Sequence, residues 1–192
     1  MATISRKTKE TEIKVSVNLD GTGQYQIRTD NGFLTHMLEQ LSHHSLIDIS
    51  VEAVGDAQID MHHQAEDLAI TLGEAMLQAL GDKLGIARYG FYYVPMDEAL
   101  TRCVLDLCNR PAFVWDVKFE RTEVGGLETE LIEHFFSSMA NALRCNLHLC
   151  NLYGRNAHHV AESCFKAFAK SLRKAIEFDT RRIGVSSTKG VL

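Results

Sequence analysis

The chain has 192 residues, 45% of them hydrophobic and 23% charged, which is ordinary for a folded protein and long enough for one or two domains with a real core. A net charge of -5 leaves no basic footprint, so nucleic acid is not an expected partner. No apolar run approaches the roughly 20 residues of a membrane span, and residues 1–12 lack the apolar stretch of a signal peptide, so no membrane is expected and the cytoplasm is the expected location.

In chain order, Ile13, Val15, Val17 and Leu19 alternate with polar residues and predict a strand. Asp20-Gly21-Thr22-Gly23 predicts a turn, and residues 25–28 the returning strand. Phe33, Met37, Leu38 and Leu41 fall at helical spacing within 33–43, and 46–54 reads as another strand. From His62 to Leu80 a stripe of Leu68, Ala69, Leu72, Met76 and Leu77 predicts a helix, which Gly81 is suited to end.

The order then restarts. Residues 99–108 read as a strand, Arg110-Pro111 as a turn and 113–119 as a second strand. A helix over 128–143, a strand over 145–153 and a long amphipathic helix over 158–178 follow. Both halves therefore read strand, strand, helix, strand, helix. The expected fold class is α+β, with helices covering one face of each sheet. The expected organisation is two half-repeats, 1–85 and 86–180, in one body, with a basic tail at 181–192. Cys103, Cys108, Cys145, Cys150 and Cys164 form no CxxC pair and read as reduced core or strand residues.

The chemistry concentrates in a motif that occurs twice: His62-His63-x-x-Glu66 and His158-His159-x-x-Glu162. Each copy opens a predicted helix, and each has a further histidine upstream, His36 before the first and His134 before the second. Residues i and i+4 share a helix face, whereas neighbours point about 100° apart. His62 with Glu66, and His158 with Glu162, can therefore each grip one cation, and the adjacent His63 and His159 must serve other sites. The internal symmetry suggests one metal on His62, Glu66, His134 and His159, and another on His36, His63, His158 and Glu162, with ligands from one chain or from several. Three imidazoles and a carboxylate suit Mn, Fe, Co, Ni or Zn without choosing among them. Asp60 has two readings, as a helix cap or as a hydrogen-bond acceptor behind a ligand. His43, His44 and His148 have no partner in the repeat and read as solvated or hydrogen-bonded.

Such sets fit more than one chemistry. Open coordination positions suit a catalytic metal. A dinuclear hydrolase would hold its ions roughly 3.5–4 Å apart and use a metal-bound water, releasing phosphate from a phosphoester. A non-catalytic metal-binding or assembly protein would saturate its ions and turn nothing over.

Taken in order, these residues lie in blocks that resemble the imidazoleglycerol-phosphate dehydratase family nearly end to end. The blocks are Thr8-Lys9-Glu10-Thr11, Asn18-Leu19-Asp20-Gly21-Thr22-Gly23, Phe33-Leu34-Thr35-His36-Met37-Leu38 and Asp60-Met61-His62-His63-Gln64-Ala65-Glu66-Asp67. Asp97-Glu98-Ala99-Leu100, Asn109-Arg110-Pro111, Glu133-His134-Phe135-Phe136, His158-His159-Val160-Ala161-Glu162 and Ser187-Thr188-Lys189-Gly190-Val191-Leu192 complete them. The chain departs from the family's usual pattern at Thr35, Met61, Gln64 and Cys108-Asn109, none of them a proposed ligand.

The resemblance implies a hydro-lyase of histidine biosynthesis that converts D-erythro-imidazole glycerol phosphate to imidazole acetol phosphate. It implies two Mn2+ ions per active site, and a homo-oligomer of about 24 subunits with ligands crossing subunit contacts. It further implies that Glu10 touches substrate and acts as the proton shuttle, with Glu66 and Glu162 as further proton-moving candidates. Arg88, Arg110, Ser187 and Lys189 are implied to bind the substrate phosphate.

Overall fold

The computed structural model describes residues 1–192. Its first half contains β1 (Ala2–Lys7), β2 (Thr11–Asn18), β3 (Tyr25–Arg28), α1 (Gly32–Ser45), β4 (Asp48–Gly55) and α2 (His62–Leu80). Its second half contains β5 (Tyr89–Met96), β6 (Ala99–Asp106), β7 (Ala112–Asp116), a small hairpin of β8 (Glu123–Val124) and β9 (Leu127–Glu128), α3 (Glu130–Leu143), β10 (Asn146–Tyr153) and α4 (Ala157–Ile176). The mixed α+β class and the repeated half-domain stand as expected from the sequence.

The two four-stranded sheets have the same order, β1-β2-β4-β3 and β5-β6-β10-β7. In each, three antiparallel strands are followed by a short parallel one, β3 on β4 and β7 on β10. The sequence reading had β3 returning alongside β2. Instead, helix α1 carries the chain across, and β3 pairs with β4 from Tyr25↔Ile49 to Arg28↔Glu52. Asp48 holds the preceding turn, accepting from the amides of Thr22 and Gln24 at 2.8 and 2.9 Å.

The sheets form the outer layers and the four helices lie between them. Thr11, Ile13, Val15 and Val17 on β2, and Ala99, Thr101, Cys103 and Leu105 on β6, point inward and are buried. Helix α2 packs against the first sheet and α4 against the second; α2 also packs on α3, and α4 on α1. These helix contacts cross between halves, and one continuous cluster of 46 buried residues spans both. Phe135 and Phe136 of α3 meet Phe165 of α4 at ring-centroid distances of 5.4 and 4.7 Å. Such aromatic contacts add to the area they bury.

Backbone approach is closest at Gly90 on β5, where a Cβ would collide with the carbonyl oxygen of Ser171 on α4. Gly90 lets the last helix lie directly on the strand. All five cysteines are free; Cys103, Cys108, Cys145 and Cys164 are buried. No helix is long and apolar enough to cross a membrane.

Candidate metal centres and phosphate pocket

Helix α2 begins at His62, whose amide donates to Asp60 Oδ1 at 2.8 Å. Helix α4 begins one residue before His158, capped by Asn156, whose Oδ1 accepts from the His158 amide at 2.9 Å. These starts set the rotational phase of both helices, so each motif presents its His and Glu on the same face.

Two triads result, His62, Glu66 and His134 in one, His36, His158 and Glu162 in the other, each with ligand atoms within 4.8 Å of one another. In the first, Glu66 lies 4.0 Å from His62 Nε2 and 3.6 Å from His134 Nε2. The His134 Nε2 atom is buried and has no hydrogen-bond partner. A buried ring nitrogen without a partner is costly unless something binds it. In the second triad, Glu162 Oε2 lies 2.9 Å from His158 Nε2 and 3.4 Å from His36 Nε2. The donor chemistry and the orphaned nitrogen both fit a divalent first-row metal.

The triads are not equivalent. Glu162 is buried, and its other oxygen pairs with Lys166 Nζ at 2.6 Å. Burial pushes its carboxyl up, but Lys166 and His158 outweigh burial and leave it below the ordinary carboxylate range. Glu66 has no such partner. Lys166 was not anticipated from sequence, although its position four residues beyond Glu162 was the available signal.

Within one chain, neither four-membered set is complete. His63 and His159 join neither triad. His63 Nδ1 lies 3.0 Å from Asp56 Oδ2, and His159 Nδ1 lies 2.7 Å from Glu98 Oε2. Both imidazoles are held above their ordinary pKa, His63 by its bond to Asp56 and His159 by its bond to Glu98. Glu98 is pulled down to about 2 by His159 and by the amides of Asn156 and Arg155. Asp56 and Glu98 also escaped the sequence reading, because neither has a fixed spacing from the histidine it holds. An Nδ1 fixed by a carboxylate leaves Nε2 as the ligand atom, and that of His159 lies 3.6 Å from Asp97 Oδ2.

Gln64, one of the departures, donates from Nε2 to Asp30 Oδ2 at 2.6 Å and accepts from the Asp30 amide at 3.0 Å. It ties the start of α2 to the loop before α1. Thr35, another, shares a hydrogen bond with Thr29 at 2.9 Å.

Arg88, Arg110, Ser187 and Lys189 line one open pocket of about 490 Å³ with Tyr89, Arg182, Val185, Ser186 and Thr188. It carries four basic side chains and no acidic one. Arg88 grips Asp106 through Nε and Nη2 at 2.6 and 2.9 Å, and its Nη1 donates to the Ser186 carbonyl at 2.6 Å. Its remaining N–H groups are free for an anion. Glu10 is exposed in the connection between β1 and β2, on a turn in which the amides of Glu10 and Thr11 donate to Thr8 Oγ1. Thr11 in turn donates to Asp67 on α2 at 2.6 Å.

Fold and site together define a duplicated α+β enzyme with paired imidazole–carboxylate clusters beside a basic pocket. The model of the imidazoleglycerol-phosphate dehydratase family matches residues 29–172. A protein of Nitrosococcus oceani called imidazoleglycerol-phosphate dehydratase is 50% identical over all of this chain and 98% of its own length. The crystal structure of imidazoleglycerol-phosphate dehydratase from Staphylococcus aureus superposes with a TM-score of 0.83 at 35% identity, covering 93% of this chain and 99% of that one. The Pyrococcus furiosus enzyme, solved in complex with a ligand, superposes with a TM-score of 0.85 at 35% identity, covering 98% of this chain and all of that one. The chain belongs to the imidazoleglycerol-phosphate dehydratase family, hydro-lyases of histidine biosynthesis.

Proposed function

We propose that this chain dehydrates D-erythro-imidazole glycerol phosphate to imidazole acetol phosphate in a metal-dependent reaction, with two Mn2+ ions per active site, as a large cytoplasmic homo-oligomer. The observation that carries the metal dependence is the pair of triads, one with a buried, unmet imidazole nitrogen. His62, Glu66 and His134 would hold one ion and His36, His158 and Glu162 the other. Bound ions would supply Lewis acidity toward the substrate's imidazole ring, the molecule's only electron sink.

The chain's own residues do the rest. Arg88, Arg110, Lys189 and Ser187 bind the phosphate and fix the far end of the substrate. The ring-adjacent carbon loses its hydroxyl and the neighbouring carbon its proton, which leave together as one water, and the enol that remains moves its O–H proton to the ring-adjacent carbon to become the ketone. Glu10 takes the proton from carbon and passes it to the departing hydroxyl; Glu66 and Glu162 are weaker candidates, because a carboxylate committed to a cation is a poorer base.

His63 and His159, each held at Nδ1 by a carboxylate, would complete the ligand sets of a neighbouring copy. Assembly is supported by the outward face of the second sheet, where Phe91, Val104, His148 and Val114 stand side by side in register. Phe91 is 66% exposed. The equivalent row on the first sheet is Thr3, Ser16, Ser50 and Gln26. Three exposed apolar side chains in this row, with none in the equivalent row of the first sheet, form a patch that a contact between copies would bury. Five free thiols suit a reducing compartment.

The test is an assay of purified protein with imidazole glycerol phosphate. Chelation should abolish ketone formation and Mn2+ should restore it at two ions per chain, with sedimentation reporting the assembled mass. Release of inorganic phosphate in place of a ketone would support a hydrolase and overturn the reading.

A further inference from the structure

Lys83 is a charged residue with almost no surface, 1% exposed, just beyond the end of α2. Burial pushes its ammonium below the ordinary lysine value. It forms no ion pair; its partners are neutral oxygens, the Leu107 carbonyl at 3.2 Å and Asn109 Oδ1 at 2.6 Å. The acid nearby, Asp106, is already held bidentately by Arg88. A buried ammonium satisfied only by neutral acceptors is an expensive choice for stability alone.

The two acceptors flank Cys108, and Asn109 immediately precedes Arg110. Asn109 has a left-handed backbone, φ 60°, which asparagine tolerates better than most residues. Beyond it, Arg110 is fixed by its carbonyl, which accepts from Asn146 Nδ2 at 2.6 Å. Before it, the Leu107 amide donates to the Arg88 carbonyl at 3.1 Å. Arg110 Nη1 donates to the Cys108 carbonyl at 3.5 Å, so one ammonium braces the turn that links the backbone of one pocket arginine to the other arginine.

We infer that Lys83 and Asn109 form a latch that aims Arg110 into the basic pocket. They are positioning residues that act through Arg110 and set affinity for the phosphorylated end of the substrate. The inference rests on the assignment of that pocket to phosphate.

The test is Asn109→Gly, which removes the ammonium's side-chain acceptor while glycine keeps the left-handed turn open to the backbone. Three constants are compared with those of the Mn2+-loaded wild type: KM, the inhibition constant of inorganic phosphate, and that of free imidazole, which competes at the ring end. KM and the phosphate constant should each rise about tenfold, in line with losing a hydrogen bond to a charged group, while kcat changes less than KM does. The imidazole constant should stay within about twofold of wild type, whereas general loosening of the fold would move both inhibitors together. Lys83→Met is the second arm; should it fail to fold, Asn109→Gly decides alone. Unchanged phosphate inhibition in Asn109→Gly, or parallel weakening of both inhibitors, overturns the latch. Wild-type enzyme that turns over but ignores phosphate overturns the pocket assignment, and the latch with it.

Discussion

Replacing Arg88 with alanine removes two charge-assisted bonds to Asp106 and one to the Ser186 carbonyl, at 2.6–2.9 Å. The Arg88 side chain is 9% exposed and that of Asp106 17%. Deleting one partner of a buried ion pair costs about 3–5 kcal/mol, because the other charge is left behind. The water that reaches Asp106 moves the expectation to the lower end, about 3 kcal/mol. For a chain of this size that is a fall in Tm of roughly 6–12 °C. The assay is thermal and urea unfolding at fixed protein concentration in chelator, so that neither metal nor assembly differs between variants. The double variant Arg88→Met/Asp106→Asn should recover at least about 1.5 kcal/mol of the summed single losses. An Arg88→Ala protein that melts within about 2 °C of wild type would show the pair to be no more than a solvated surface contact.

Gly90→Ala forces β5 away from the Ser171 carbonyl and should cost about 3 kcal/mol in urea unfolding; a loss under 1 kcal/mol would mean that the strand and helix separate freely. Glu98→Gln tests the Glu98–His159 pair by its pH dependence. Glu98 is depressed from 4.5 to about 2, so its contribution is complete above pH 4.5 and lost as pH falls through 2. His159 is raised from 6.5, so its contribution is complete below pH 6.5 and lost as pH rises through its folded value. The wild-type advantage in Tm over Glu98→Gln, measured in chelator, should therefore be largest between pH 4.5 and 6.5 and shrink on either side; a pH-independent gap would exclude the ion pair.

The helices and inner strands were legible because burial writes a period into them. The helix expected from His62 to Leu80 has the bounds of the observed α2, and β2 alternates cleanly. Two edge strands were missed because burial leaves little mark there. In β1 only Ala2 is buried. In β5 the buried position is Gly90, and aromatic residues face outward, so the apolar pattern is inverted. The partner of β3 was missed because pairing across a helical crossover is not encoded in a local turn. At the site, the fixed i,i+4 spacing made His62–Glu66 and His158–Glu162 readable. The directions of His63 and His159 depend on Asp56 and Glu98, which folding alone brings to them.

Each triad is assembled from both repeats: α2 supplies His62 and Glu66 and α3 supplies His134, while α4 supplies His158 and Glu162 and α1 supplies His36. A bound ion would thus act as a rivet through the helical layer, and neither repeat owns a full set. A chain severed between α2 and β5 would yield two fragments that each fall short of three ligands at either centre. Metal uptake by their mixture would then count how many had found each other, making the ion a reporter of docking as well as a reagent.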